Sequence, residues 1–174
     1  MCVVLLILGG ERAAAAAEPV FISEFLASNS GGLADEDGAT PDWIEVFNSG
    51  TTNVNLNGWF LTDSAANLTK WRFPATILAP NGFIIIFASG KNRAVPGAPL
   101  HANFSLSASG EYLALVHPDG VTVANDFAPT FPEQFANISY GLGQNVQVTK
   151  FVSNTSPATV FVPTNGTLGT TWTA

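Results

Sequence analysis

Short apolar, β-prone runs recur along the chain, each closed by turn residues. They fall at residues 20–27, 43–48, 58–62, 71–73, 82–88, 111–116, 121–126 and 138–140. Between them lie Ser30-Gly31-Gly32, Asn48-Ser49-Gly50, Pro80-Asn81-Gly82, Ser109-Gly110 and Pro118-Asp119-Gly120. Glycine accepts positive φ, proline fixes φ, and Asn, Asp and Ser bond back to their own backbone, so these clusters end strands. No stretch of the body sustains the apolar spacing of a helix. Many short strands with turns at this rhythm predict an all-β sandwich or barrel with little helix.

Several runs can be read more closely. Phe83-Ile84-Ile85-Ile86-Phe87 is apolar at every position, which predicts a central strand covered on both faces. Residues 112–121 read as a hairpin turning at Pro118-Asp119-Gly120. Trp43, Ile44, Val46 and Phe47 are expected to fill the core from one strand. Glu45 between them must then face water or find a partner. Gly58, just before Trp59, lets the backbone bend or pack closely.

Composition narrows the class. Hydrophobic residues make up 47% of the 174, enough for an unaided core, while charged residues are only 11%. The net charge is −7, and Lys70, Arg72, Lys91 and Arg93 are too few for a phosphate-binding patch, so nucleic acid is not expected as a partner. The one cysteine, Cys2, lies in an apolar N-terminal run, so the body has no disulfide, thiol nucleophile or cysteine metal site.

That run and the small residues Ala13 to Ala17 have the layout of a secretory signal peptide over residues 1–17, with cleavage after Ala17. The basic start is missing, and Glu11 and Arg12 follow the apolar run. The run is too short for a transmembrane span, which takes about 20 apolar residues. Residues 18–143 then form the β domain. Residues 144–174, rich in Thr, Asn and Pro, read as a linker and the start of a further β module, with a fourth tryptophan at Trp172.

Seven strings carry a family resemblance. Phe21-Ile22-Ser23-Glu24-Phe25-Leu26-Ala27-Ser28-Asn29 comes first. Pro41-Asp42-Trp43-Ile44-Glu45-Val46-Phe47-Asn48, Leu56-Asn57-Gly58-Trp59-Phe60-Leu61-Thr62-Asp63 and Trp71-Arg72-Phe73-Pro74 follow. The rest are the stretches 78–90 and 104–115 and Ser139-Tyr140-Gly141-Leu142-Gly143. In order and spacing, over residues 20–143, they resemble the bacterial lamin-tail domain. The most specific are Asp42-Trp43-Ile44-Glu45 with Asn48, and Gly58-Trp59 with Leu61 and Asp63. The resemblance implies an immunoglobulin-like β-sandwich and a non-catalytic accessory piece of exported bacterial proteins. It supplies no catalytic residue.

Candidate chemistry is sparse. Asp35-Glu36-Asp37-Gly38 with Asp42 and Glu45 is the one dense acidic cluster, and Ca²⁺ needs several such oxygens. Asp35, Asp37 and Asp42 would be the ligands, although the regular twelve-residue loop is absent; no other cofactor is expected. His101 and His117 lie on different segments and read as surface histidines. Glu24 and Glu45 are the only strand acids near aromatics, a poor basis for a glycosidase pair. Trp43, Trp59 and Trp71 read as packing residues before a sugar platform. Five Asn-x-Ser/Thr acceptor patterns, at Asn67, Asn103, Asn137, Asn154 and Asn165, matter only in a host that glycosylates.

The expectation is a structural or interaction module, secreted or at the cell surface, meeting neighbouring domains or other proteins. A carbohydrate-binding module on polysaccharide is the alternative, and an accessory fragment of a larger exported enzyme the second.

Overall fold

In a computed structural model, residues 19–142 are described. The expected signal peptide over 1–17, the expected linker and further module over 144–174, Cys2, Trp172 and the patterns at Asn154 and Asn165 lie outside them. Eleven strands run in chain order: β1 (Val20–Leu26), β2 (Asp42–Asn48), β3 (Val54–Asn55), β4 (Phe60–Thr62), β5 (Trp71–Arg72), β6 (Ile77–Leu78), β7 (Phe83–Ala88), β8 (Leu100–His101), β9 (Ala114–Val116), β10 (Val123–Asp126) and β11 (Tyr140–Gly141). No helix occurs among the described residues. A five-stranded sheet has the order β11-β1-β2-β7-β8, a four-stranded sheet β10-β9-β4-β5, and β3 pairs with β6. Every pairing is antiparallel except β7 with β8. The result is the immunoglobulin-like β-sandwich expected.

Alternation along the strands sets the core, because successive side chains point to opposite faces. From the larger sheet Ile22, Phe25, Ile44, Val46 and Ile86 point inward, all fully buried. Leu61, Trp71, Leu113 and Leu115 meet them from the other side, with Leu56, Trp59, Phe73 and Phe131 sealing the ends. Each such aliphatic or aromatic side chain contributes roughly 1.5–3 kcal/mol through the water it sheds. Only Ile44 and Val46 of the expected four enter the core from β2. Trp43 and Phe47 fall on the outward register and stand half-exposed on the opposite face.

β7 is covered on both faces only at its end. Phe87 and Ala88 are buried, but Phe83 is 64% exposed and Ile85 half-buried. β8 is two residues long and reaches only Ile86 and Phe87, so the first half of β7 lies at the sheet edge. The β9–β10 hairpin forms as expected. The Gly120 amide donates to His117 O at 3.0 Å, Gly120 has φ 72°, and the Asp119 carboxylate accepts from the Val121 and Thr122 amides. Gly58 sits at φ 84°, where its missing Cβ leaves room for the Arg72 guanidinium.

The larger sheet contains one bulge. Register shifts between Ile22 and Glu24, leaving Ser23 as the extra residue on β1. Ser23 O accepts from the Leu142 amide at 2.9 Å, which secures β11 against β1.

Candidate functional site

The acidic loop before β2 folds over the outer end of the β7–β8 pair. Asp35 begins it as a turn: its carboxylate accepts from the Asp37 and Ala39 amides at 3.0 and 2.9 Å, and its side chain is buried. Lys91 and Arg93 approach from the segment after β7. Lys91 Nζ bonds both the Asp35 carboxylate and Asp37 Oδ2, the latter at 2.7 Å. Arg93 bridges Glu36 at 2.6 Å and Asp37 at 2.7 Å. These cations hold Asp37 down to about 2, Arg93 first and Lys91 second. Asp35 is lowered mainly by Lys91, and Glu36 by its own amide and then by His101.

Beneath the loop lies His101. It is not the surface residue expected from its Pro- and Gly-rich surroundings. Residues Leu100–His101 form β8, and the imidazole is fully buried, stacked on Phe87 with ring centroids 5.1 Å apart. Its Nδ1 is 2.8 Å from Ser89 Oγ, and its Nε2 is 3.0 Å from both Glu36 oxygens. His117 is half-buried and packs on Trp59 at 4.3 Å.

A hydroxyl, an imidazole and a carboxylate in series is the arrangement that activates a nucleophile. Such a site also needs amides aimed at the developing oxyanion. The amides next along from Ser89 are already spent: Gly90 N donates to Phe104 O at 3.1 Å, and Lys91 N to Ser89 Oγ at 3.3 Å. What the chain of bonds does is clasp the loop to the sheet, with the imidazole joining Glu36 to Ser89.

The three residues expected to bind Ca²⁺ do not converge. Asp35 and Asp37 meet on Lys91. Asp42 instead caps the neighbouring backbone, accepting from the Asn29 amide at 3.2 Å. Half-buried, it is raised by desolvation despite its bonds to Asn29 and Leu106. Among the described residues, Asp35, Glu36 and His101 place ligand-type atoms within 4.8 Å of one another. Those carboxylates already carry two cations, so a metal there would have to displace Lys91 or Arg93.

The other residues singled out serve the fold. Glu24 and Glu45 face each other in register across β1 and β2, on an open sheet face. Ser23 Oγ donates to Glu45 at 2.5 Å and Ser139 Oγ to Glu24. Trp59 and Trp71 are core residues, 6% and 2% exposed. The Asn103 side chain donates to Lys70 O, and Asn137 bonds Ser30 at both ends of its amide.

The string Asp42 to Asn48 owes much of its specificity to a residue whose role was not anticipated. Asn48 is fully buried at the end of β2. Its Nδ2 donates to Thr52 O, Leu78 O and Ala79 O at 2.9, 3.0 and 3.1 Å, and its Oδ1 accepts from Gly50 N at 2.9 Å. One amide thus ties the turn after β2 to β6. The only signal was an asparagine at a position where alternation points inward.

Comparison with curated proteins gives no significant match. The profile of the Lamin Tail Domain family matches residues 13–127, about two thirds of the chain. With that match and this sandwich, the chain belongs to the lamin tail domain family, whose members are non-catalytic immunoglobulin-like domains.

Proposed function

We propose that this lamin tail domain is a non-catalytic interaction and structural module of an exported multidomain protein, secreted or held at the cell surface, where it meets neighbouring domains or other proteins. The observation that carries this reading is the saturation of the one hydroxyl–imidazole–carboxylate cluster found among the described residues. Ser89, His101 and Glu36 are bonded to each other, Lys91 and Arg93 neutralise the carboxylates, and the imidazole is sealed under the loop. Family membership points the same way. The apolar leader ending in Ala13 to Ala17 supports export. No helix among the described residues is long and apolar enough to cross a membrane.

Polysaccharide is the weaker partner, since two of the three body tryptophans are locked in the core and only Trp43 stands partly open. Deleting residues 19–142 from the parent protein tests the module reading. The deletion should alter assembly or surface placement and leave the turnover of any neighbouring enzyme domain unchanged. Lost turnover with assembly intact would overturn it.

A further inference from the structure

In an antiparallel sandwich the outward face of a sheet normally alternates to polar residues, because it meets water. The five-stranded sheet departs from this. Phe21, Phe47 and Phe83 lie in register across β1, β2 and β7, all pointing away from the core. The adjacent rows bring Ile85 beside Glu45 and Trp43 beside Phe87. Phe87 is covered by the His101 clasp, but Phe21, Trp43, Phe47 and Ile85 are half-exposed and Phe83 is 64% exposed. A contiguous exposed apolar surface of this kind marks an interaction site.

Within the strands the charges on the face are one-sided. Strands β1, β2 and β7 contribute Glu24 and Glu45 to it and no Lys or Arg. Lys91 and Arg93 of the adjoining clasp are already paired with Asp35, Glu36 and Asp37. Glu45 stands amid Trp43, Phe47 and Ile85, oriented by the Ser23 hydroxyl supplied by the bulge. An ion pair formed there would be shielded from water by the aromatic rings, and so would contribute more than at an open surface.

We propose that this face docks a polypeptide segment from another domain or protein in which apolar side chains flank Lys or Arg. The inference rests on the reading of the chain as an interaction module. It commits to a basic, apolar partner because complementarity requires it: the rings need apolar cover, and the two carboxylates need a cation. A second copy of this chain fits poorly. Packing the face on itself would join two surfaces that each carry Glu24 and Glu45 and no strand-borne cation, leaving the carboxylates unpaired.

The test uses the full chain, ¹⁵N-labelled, with three synthetic peptides of about a dozen residues. One alternates Lys with Leu and Tyr, one has Glu for Lys, and one has Ser for the apolar residues. The first alone is expected to shift the amide resonances of β1, β2 and β7, and more weakly as salt rises. Glu45→Gln should weaken binding at least roughly threefold, as should Phe83→Ser. Both variants should keep the wild-type melting temperature, since Phe83 is largely exposed.

Equal binding of the Glu peptide, dimerisation through this face without peptide, or shifts by an oligosaccharide in place of the peptide would each overturn the proposal, as would the absence of any shift. Peptide shifts confined to another surface would remove this face and leave the module reading standing. Failure of the module reading shows instead in the turnover of the parent protein after deletion.

Discussion

Asn48 offers a quantitative test of what holds the sandwich shut at one end. Its side chain has two N–H donors shared among three carbonyls and one acceptor used by Gly50. Removing them by Asn48→Ala deletes about three hydrogen bonds. At about 1 kcal/mol net each, the domain should lose about 3 kcal/mol. Asn48→Asp has nearly the same shape and keeps the Gly50 bond. It turns an oxygen toward Thr52 O, Leu78 O and Ala79 O, so the folded state accepts it only protonated.

Holding a carboxyl of reference pKa about 3.9 neutral near pH 7 costs about 4 kcal/mol, with about 1 kcal/mol more for the lost donor. Near pH 4 the protonation cost falls to about 0.5 kcal/mol. The sign is that of a raised folded-state pKa: stability relative to wild type is present at low pH and lost as pH rises. The two variants should therefore cross, the aspartate variant being the worse near pH 7 and the better near pH 4. Urea unfolding followed by tryptophan fluorescence, against wild type at each pH, measures this. If both variants keep the same order at both values, the donors of Asn48 are not what secures the turn.

Gly110→Ala should destabilise by at least about 2 kcal/mol in the same assay, because φ is 94° and the new Cβ would lie 2.3 Å from Phe131 O. Asp37 and Asp119, both held near 2, should make stability fall as pH drops from about 4 toward 2, since each depressed carboxylate stabilises the fold only while ionised. Arg93→Gln should flatten that fall, seen in thermal melts across the range. Lys91→Met should lower the melting temperature more than Arg93→Gln, because it strips the buried Asp35 carboxylate of its cation. Millimolar Ca²⁺ should leave the melting temperature unchanged in wild type, since Lys91 and Arg93 occupy the loop carboxylates; a clear rise would show the ion displacing them.

Much of this fold was readable where local pattern and burial agree. The strands with apolar runs, the Pro118-Asp119-Gly120 turn and the Gly58 bend follow from residue chemistry that acts over a few positions. The strands β3, β6 and β8 did not stand out, because two residues carry no period and their pairing is supplied by tertiary neighbours. β2 shows the limit of reading apolar content without phase. Trp43 and Phe47 are apolar, yet they share the outward phase of Glu45, and phase decided their face.

The clasp was legible by half. Asp35, Glu36 and Asp37 are consecutive and visible as a cluster. Lys91, Arg93 and His101 sit far along the chain and reach it only because β7 and β8 run parallel beside it. An acidic cluster without its remote partners looks like an ion-binding loop. With them it is a charge-balanced strap.

The bond between Leu142 and Ser23 has a mechanical consequence. β11 runs antiparallel to β1 and heads back toward Val20, so the chain enters and leaves the domain from the same end of one sheet. Tension between residues 19 and 142 would part β11 from β1 as a zipper opens, loading one hydrogen bond at a time. Strands pulled in shear would share the load across all their bonds. The domain should therefore yield in two stages under force: β11 lifts off early and lengthens the tether, while the core of Phe25, Ile44 and Leu115 holds until much later.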